Sequence, residues 1–145
     1  DIIYVGGGNT KSMLAVWEDW RLDELLIDAY QNGAILCGVS AGAICWYDKG
    51  VTDSWADNLK MINCMGILDE NACPHYNGEE DRRPSVIKFL KDKKIDSCTC
   101  IDDGAAVHYI NGEFSKVISF DGGSAYNTYV NKGEFIENKL DELII

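Results

Sequence analysis

The stretch ILCGVSAGAICW, residues 35–46, reads as an apolar strand that stops at Gly38, offers one hydroxyl at Ser40 and resumes as the small residues of a helix start. Glycines stand two positions to either side of the serine, in the spacing G-x-S-x-G. Where a strand turns sharply into a helix, this pattern lifts the serine clear of the sheet, and the turn leaves no room for side chains at the glycines. The same turn aims the amide of Ala41 at the space around the hydroxyl, and a helix start adds partial positive charge. Ser40 is therefore a candidate nucleophile and Ala41 a candidate oxyanion donor. The competing reading is a tight strand-to-helix turn without chemistry.

Working outward, DIIYV (1–5) is a short β-branched run ended by three glycines. Apolar residues then recur at helical spacing from Thr10 to Trp17 and from Arg21 to Gln31, with Gly33 as a C-cap. Strand, helix and strand in that order, with both strands apolar, predict a buried parallel pair joined by a right-handed crossover. GGGNT (6–10) closes the first strand as Gly38–Gly42 closes the second, and ligands of open α/β sheets bind beyond such strand ends. GGGNT lacks the Lys-Ser/Thr of a P-loop and the G-x-G-x-x-G spacing. The alternative to a phosphate cradle is an amide donor from Gly8 facing Ser40, which would complete a two-donor oxyanion hole.

Downstream, residues 48–74 show no clean period, with Trp55, Asp57 and Asn58 suggesting a loop before LKMINCMGIL. A helix is predicted from Arg83 to Lys93, opened near Pro84, with DSCTCI as the next strand. AAVHYINGEFSKVISF places Asn-Gly between two alternating runs, and YNTYVNKGEFIE does the same with Lys-Gly, so the C-terminal end is predicted to be antiparallel. Without repeats, low-complexity tracts or linkers, residues 1–145 read as a single domain.

Composition narrows the classes. The chain has 145 residues, enough to bury about 70% of its unfolded surface. Its net charge of −11 argues against nucleic acid and anionic membranes as partners, since both select Lys/Arg-rich faces. No apolar run approaches the roughly 18 residues of a span, and no leader pattern opens the chain, which points to a soluble, cytoplasmic protein. Of the six cysteines, three fall in or beside apolar strand-like runs, where reduced thiols act as small hydrophobes. Cys98 and Cys100 share a strand face, but no second pair stands at zinc spacing, so neither a metal nor a cofactor is expected.

A nucleophilic serine needs a base, and the chain has two histidines. His75, in CPHYNG, is loop-borne: Pro74 fixes its approach and Asn77-Gly78 loosens the chain beyond it, leaving it able to face a site. His108, in AAVHYI, reads as a surface or packed strand residue. For the acid that orients the imidazole, CIDDGAA supplies Asp102 and Asp103 at a strand end, with Asp53 and Asp57 as competitors.

Taken together, DIIYVGGGNT, GVSAGA, PHY and IDDGAAV resemble the peptidase E family of serine peptidases in order and, for the first two, in separation. The resemblance implies an α/β fold with an open, flavodoxin-like, mostly parallel sheet, helices on both faces and the antiparallel hairpin region at the C-terminal end. It implies Ser40 as nucleophile, His75 as general base, the Gly8 and Ala41 amides as oxyanion hole, and Asp103 as the acid, where the family carries a glutamate. An older family assignment matches Asp53 instead. Arg82 aligns with a substrate-binding arginine, whose planar guanidinium suits a substrate carboxylate. A solvated cluster with Glu79, Glu80, Asp81 and Arg83 explains the same residue. The family has further N-terminal βα units that this chain is expected to lack, so a homodimer or a separate N-terminal segment is expected to cover the exposed sheet edge.

The implied activity is hydrolysis of small peptides through an acyl-enzyme, as in an aspartyl dipeptidase or a cyanophycinase-like peptidase. A non-catalytic ligand-binding member of the same fold is the alternative class. Glutamine amidotransfer ranks lower, because it uses Cys at the turn and Cys37 lies inside the strand.

Overall fold

The computed structural model describes residues 1–55, 58–120 and 122–144. The fold is mixed α/β, and the chain divides into two compact units, Asp1–Leu68 and Asp69–Ile145.

In the first unit, β1 (Ile2–Val5) pairs in parallel with β2 (Ile35–Gly38), as the strand–helix–strand reading predicts. The crossover carries two helices, α1 (Thr10–Asp19) and α2 (Leu22–Gln31). Asn9 caps α1 by accepting from the Ser12 amide at 2.9 Å. At the far end of α2, the amides of Gly33 and Ala34 donate back to the carbonyls of Tyr30 and Ala29, and Gly33 adopts φ 89°. This is a Schellman closure, which requires a left-handed residue at the glycine position. A short α3 (Ala41–Ile44) follows β2, and β3 (Tyr47–Thr52) pairs antiparallel with β4 (Lys60–Asn63).

The core of this unit gathers Leu26, Cys45 and Trp46 with Ile3, Val5, Met13, Leu14, Trp17, Leu36, Met65 and Ile67. The expectation that both first strands are buried is met on one face only. Ile3, Val5 and Leu36 turn toward the helices, while Ile2, Tyr4 and Ile35 are 69%, 67% and 60% exposed. Strand side chains alternate, and α1 and α2 contribute to one side of the pair.

Strand β5 (Leu68–Cys73) starts at the last residue of the first unit, and in the second unit it runs parallel to β6 (Ser97–Ile101), with Cys73 opposite Cys100. The two strands are joined through α4 (Arg82–Lys91), which lies against β9. Strand β6 pairs antiparallel with β9 (Ala125–Asn131), and β9 with β10 (Glu134–Lys139). A second sheet holds β7 (Ala105–Ile110) and β8 (Glu113–Ser119).

Both hairpins read from the sequence are present. Asn111 and Gly112 have φ 53° and 83°, and Lys132 and Gly133 have 50° and 87°. Two consecutive positive φ values match the type I′ turn, whose twist fits the flanking strands. One element departs from an all-antiparallel end: β11 (Glu142–Ile144) pairs with β8 in parallel, because the chain returns to β8 only after traversing β9 and β10. The six cysteines are free thiols, and Cys45, Cys73, Cys98 and Cys100 are buried. No described helix is long and apolar enough to cross a membrane.

Candidate active site

The turn at Ser40 is built by the close approach of β1 and the start of α3. Gly38 and Gly42 both face backbone: a Cβ on Gly38 would meet the carbonyl oxygens of Gly42 and Val5, and one on Gly42 those of Val5 and Gly6. Val39 donates its amide to Val5 O at 3.1 Å, locking the end of β2 onto β1. Between the glycines, Ser40 takes φ 53° and ψ −115°. For a non-glycine residue this conformation costs of order 1–3 kcal/mol and persists only where the surroundings over-determine it. The Ser40 carbonyl accepts from Ala43 and Ile44, while its side chain does not cap the helix. Ala41 is thus the first helical residue, a position whose amide has no acceptor within the helix.

GGGNT wraps the same corner. A Cβ on Gly7 would sit 3.3 Å from Ser40 Cβ and 3.9 Å from its Oγ, a tight fit that glycine avoids. Gly8 follows at φ 149°, a region L side chains rarely adopt. The loop is fastened beyond Gly8. The Asn9 side-chain amide donates to Ser54 O at 2.6 Å, the Lys11 amide to Ser54 Oγ at 3.4 Å, and Thr10, 2% exposed, meets Thr52 Oγ1. The Lys11 ammonium also lies 5.1 Å from the Trp55 ring centre. Asp53 stands exposed in this anchoring segment. Asp57 lies outside the described residues.

In the second unit the structure brings His75 and Asp103 together. His75 Nδ1 lies 2.7 Å from Asp103 Oδ1, with the imidazole 28% and the carboxylate 58% exposed. With the carboxylate as acceptor, the contact assigns the proton to Nδ1, which is a choice of tautomer. Asp103 is held by the loop after the histidine: its amide donates to Asn77 Oδ1 at 2.8 Å, and any side chain on Gly78 would run into its Oδ2. Asn77-Gly78 therefore fastens the pair rather than loosening the loop.

Asp102 turns the other way. It is 8% exposed, its amide donates to Ser124 O, and its Oδ2 accepts from the Ser124 amide at 3.1 Å. Burial pushes its carboxyl above the usual range, partly offset by that amide. Asp102 thus ties its own backbone to that of Ser124. His108 is exposed on β7, opposite Lys116.

Arg82 opens α4 and is 4% exposed, with Nε donating to Glu79 Oε2 at 2.7 Å and its side chain reaching the Cys73 thiol. Its partner Glu79 belongs to the charged segment 79–83, while the arginine side chain itself is buried. Arg83 is the exposed member, and it pairs with Glu137 of β10. Glu137 carries no local signal in the sequence, because its partners lie more than fifty positions away.

The profile of peptidase family S51 matches residues 1–117. The chain belongs to peptidase family S51. The uncharacterized peptidase YgaJ of Bacillus subtilis (strain 168) is 46% identical over 141 residues, which cover 97% of this chain and 61% of that protein. The uncharacterized peptidase Lmo0363 of Listeria monocytogenes is 31% identical over 83 residues, covering 53% of this chain and 40% of its own. Lin0382 of Listeria innocua, also an uncharacterized peptidase, is 30% identical over 83 residues with the same coverage. The chain thus spans between two fifths and about three fifths of these relatives. Ser40, His75, Arg82 and Asp103 all fall within the residues matched by the S51 profile, and Glu137 falls outside them.

Proposed function

We propose that this chain is a serine-type peptidase that hydrolyses small peptides through an acyl-enzyme. The observation that carries the reading is the backbone of Ser40, held at φ 53° between two glycines that admit no side chain. Such a strained turn is retained where it aims a nucleophile. Membership of family S51 and the His75–Asp103 contact support the same reading.

In the proposed mechanism, Ser40 Oγ attacks the scissile carbonyl carbon while His75 Nε2 takes the hydroxyl proton. The amides of Gly8 and Ala41 receive the charge that develops on the carbonyl oxygen. Collapse of the tetrahedral intermediate breaks the C–N bond, and the imidazolium gives its proton to the departing amine. Water then attacks the ester with His75 again as base, releasing the acid and restoring Ser40. Asp103 holds the Nδ1–H tautomer and stabilises the imidazolium.

For substrate choice we propose an aspartyl preference read by Arg82. The reading rests on the resemblance, in which Arg82 aligns with a substrate-binding arginine, and on the planar guanidinium, which suits a carboxylate. Hydrolysis of Asp-Leu, Asn-Leu and Ala-Leu tests both levels. Ser40→Ala should lower turnover of every cleaved dipeptide by several orders of magnitude with little change in thermal stability. Asp-Leu should exceed Asn-Leu by at least about tenfold, a gap that Arg82→Ala erases and Arg82→Lys restores only in part. Equal rates on all three dipeptides would remove the specificity and leave the peptidase reading; an active Ser40→Ala chain would remove the peptidase reading itself.

A further inference from the structure

His75 has φ 54°, a left-handed backbone that a non-glycine residue adopts only under constraint. Part of the constraint is local, since the amides of Gly78 and Glu79 both donate to the His75 carbonyl, at 3.1 and 3.2 Å. The rest comes through the next residue. Tyr76 is 6% exposed, its amide donates to Ile101 O at 3.0 Å, and its ring lies 5.9 Å from that of Tyr126. Its hydroxyl donates to Glu137 Oε2 at 2.6 Å, and the same oxygen accepts from Arg83 Nε at 3.0 Å. Arg83 in turn stacks its guanidinium 5.4 Å from the Phe135 ring centre. Burial and the bond to Glu137 keep the phenol protonated well above neutral pH, so Tyr76 remains a donor.

We infer that Tyr76 is a positioning residue for His75: its hydroxyl, held by Glu137 and Arg83, fixes the left-handed turn that lays the imidazole on Asp103. A residue adjacent in sequence to a catalytic base can set that base's direction, because the two share a peptide plane. An anchor at the phenol end is rigid, since tyrosine has only two rotatable side-chain bonds. Glu137 and Phe135 sit on β10, beyond the residues matched by the S51 profile, so the clamp is supplied by the C-terminal hairpin of this chain. The catalytic part of this inference rests on the proposed role of His75 as base.

The test reads the imidazole directly. In the full chain carrying Ser40→Ala and His108→Gln, His75 is the one histidine left, and its Nδ1–H proton is followed by NMR. The expected result is a slowly exchanging Nδ1–H signal whose exchange accelerates about tenfold or more in Tyr76→Phe. That variant keeps the ring against Tyr126 and removes only the hydroxyl. Glu137→Gln, which leaves an acceptor for Tyr76 but breaks the ion pair with Arg83, should give an intermediate rate, and it serves as the second variant if Tyr76→Phe does not fold. In the active chain, Tyr76→Phe should lower kcat about 10- to 100-fold with KM little changed. Unaltered Nδ1–H exchange in both variants would overturn the inference even if the chain hydrolyses peptides. An inactive parent whose Nδ1–H signal still responds to Tyr76→Phe would overturn the peptidase reading and uphold the clamp.

Discussion

Asp102 and Asp103 are chemically identical neighbours at the end of β6, and the fold gives them opposite tasks. One is buried against the Ser124 backbone, and the other is mostly exposed and 2.7 Å from His75. The sequence offers four acids, Asp53, Asp57, Asp102 and Asp103, and spacing alone does not rank them, because what matters is which strand end passes the histidine. The resemblance to the peptidase E family implies a glutamate at this position; in this chain the aspartate meets His75 Nδ1 while its amide is held by Asn77 Oδ1. Asp103→Asn should therefore lower kcat about 10²- to 10⁴-fold by presenting the wrong histidine tautomer, while Asp53→Asn should cost less than about tenfold. Steady-state kinetics on the two variants checks the order; the reverse order would move the acid to the segment after β3.

At the scale of elements, legibility tracks locality. The G-x-S-x-G turn, the Schellman closure at Gly33 and the two type I′ hairpins are written in a few adjacent residues, and all are found where the sequence puts them. Strand β5, LDENAC, is not legible because three consecutive polar residues read as a loop. It holds as a strand through partners remote in sequence: Glu70 accepts from Thr99 and Tyr109, and Asn71 donates to Ser97 O. The Tyr76–Glu137 clamp is hidden in the sequence for the same reason. Helix α4 ends in the same closure as α2, with Lys93 and Lys94 donating to Leu90 and Phe89, but Lys93 occupies the left-handed position at φ 54°. Lysine carries a steric cost there that glycine does not. Lys93→Gly should stabilise the chain by about 0.5–1 kcal/mol, read as a higher urea midpoint at unchanged m value. A lower midpoint would mean that side-chain contacts of Lys93 outweigh its backbone cost.

Over the whole molecule, composition excludes more than it identifies. A net charge of −11 disfavours polyanionic partners, yet it is silent on which residues do chemistry. The family is legible because four short motifs fall in one order along the chain, and the S51 profile matches the residues that hold them. The exposure of Ile2, Tyr4 and Ile35 is not legible, since alternating apolar residues look the same whether or not a second layer covers them. The central claim is that Ser40 is an activated nucleophile, and the direct measurement is covalent labelling of the full chain with a fluorophosphonate, followed by peptide mapping. The account predicts near-stoichiometric modification at Ser40, abolished by Ser40→Ala and strongly slowed by His75→Ala. An unlabelled chain, or a label on any other residue, would contradict it.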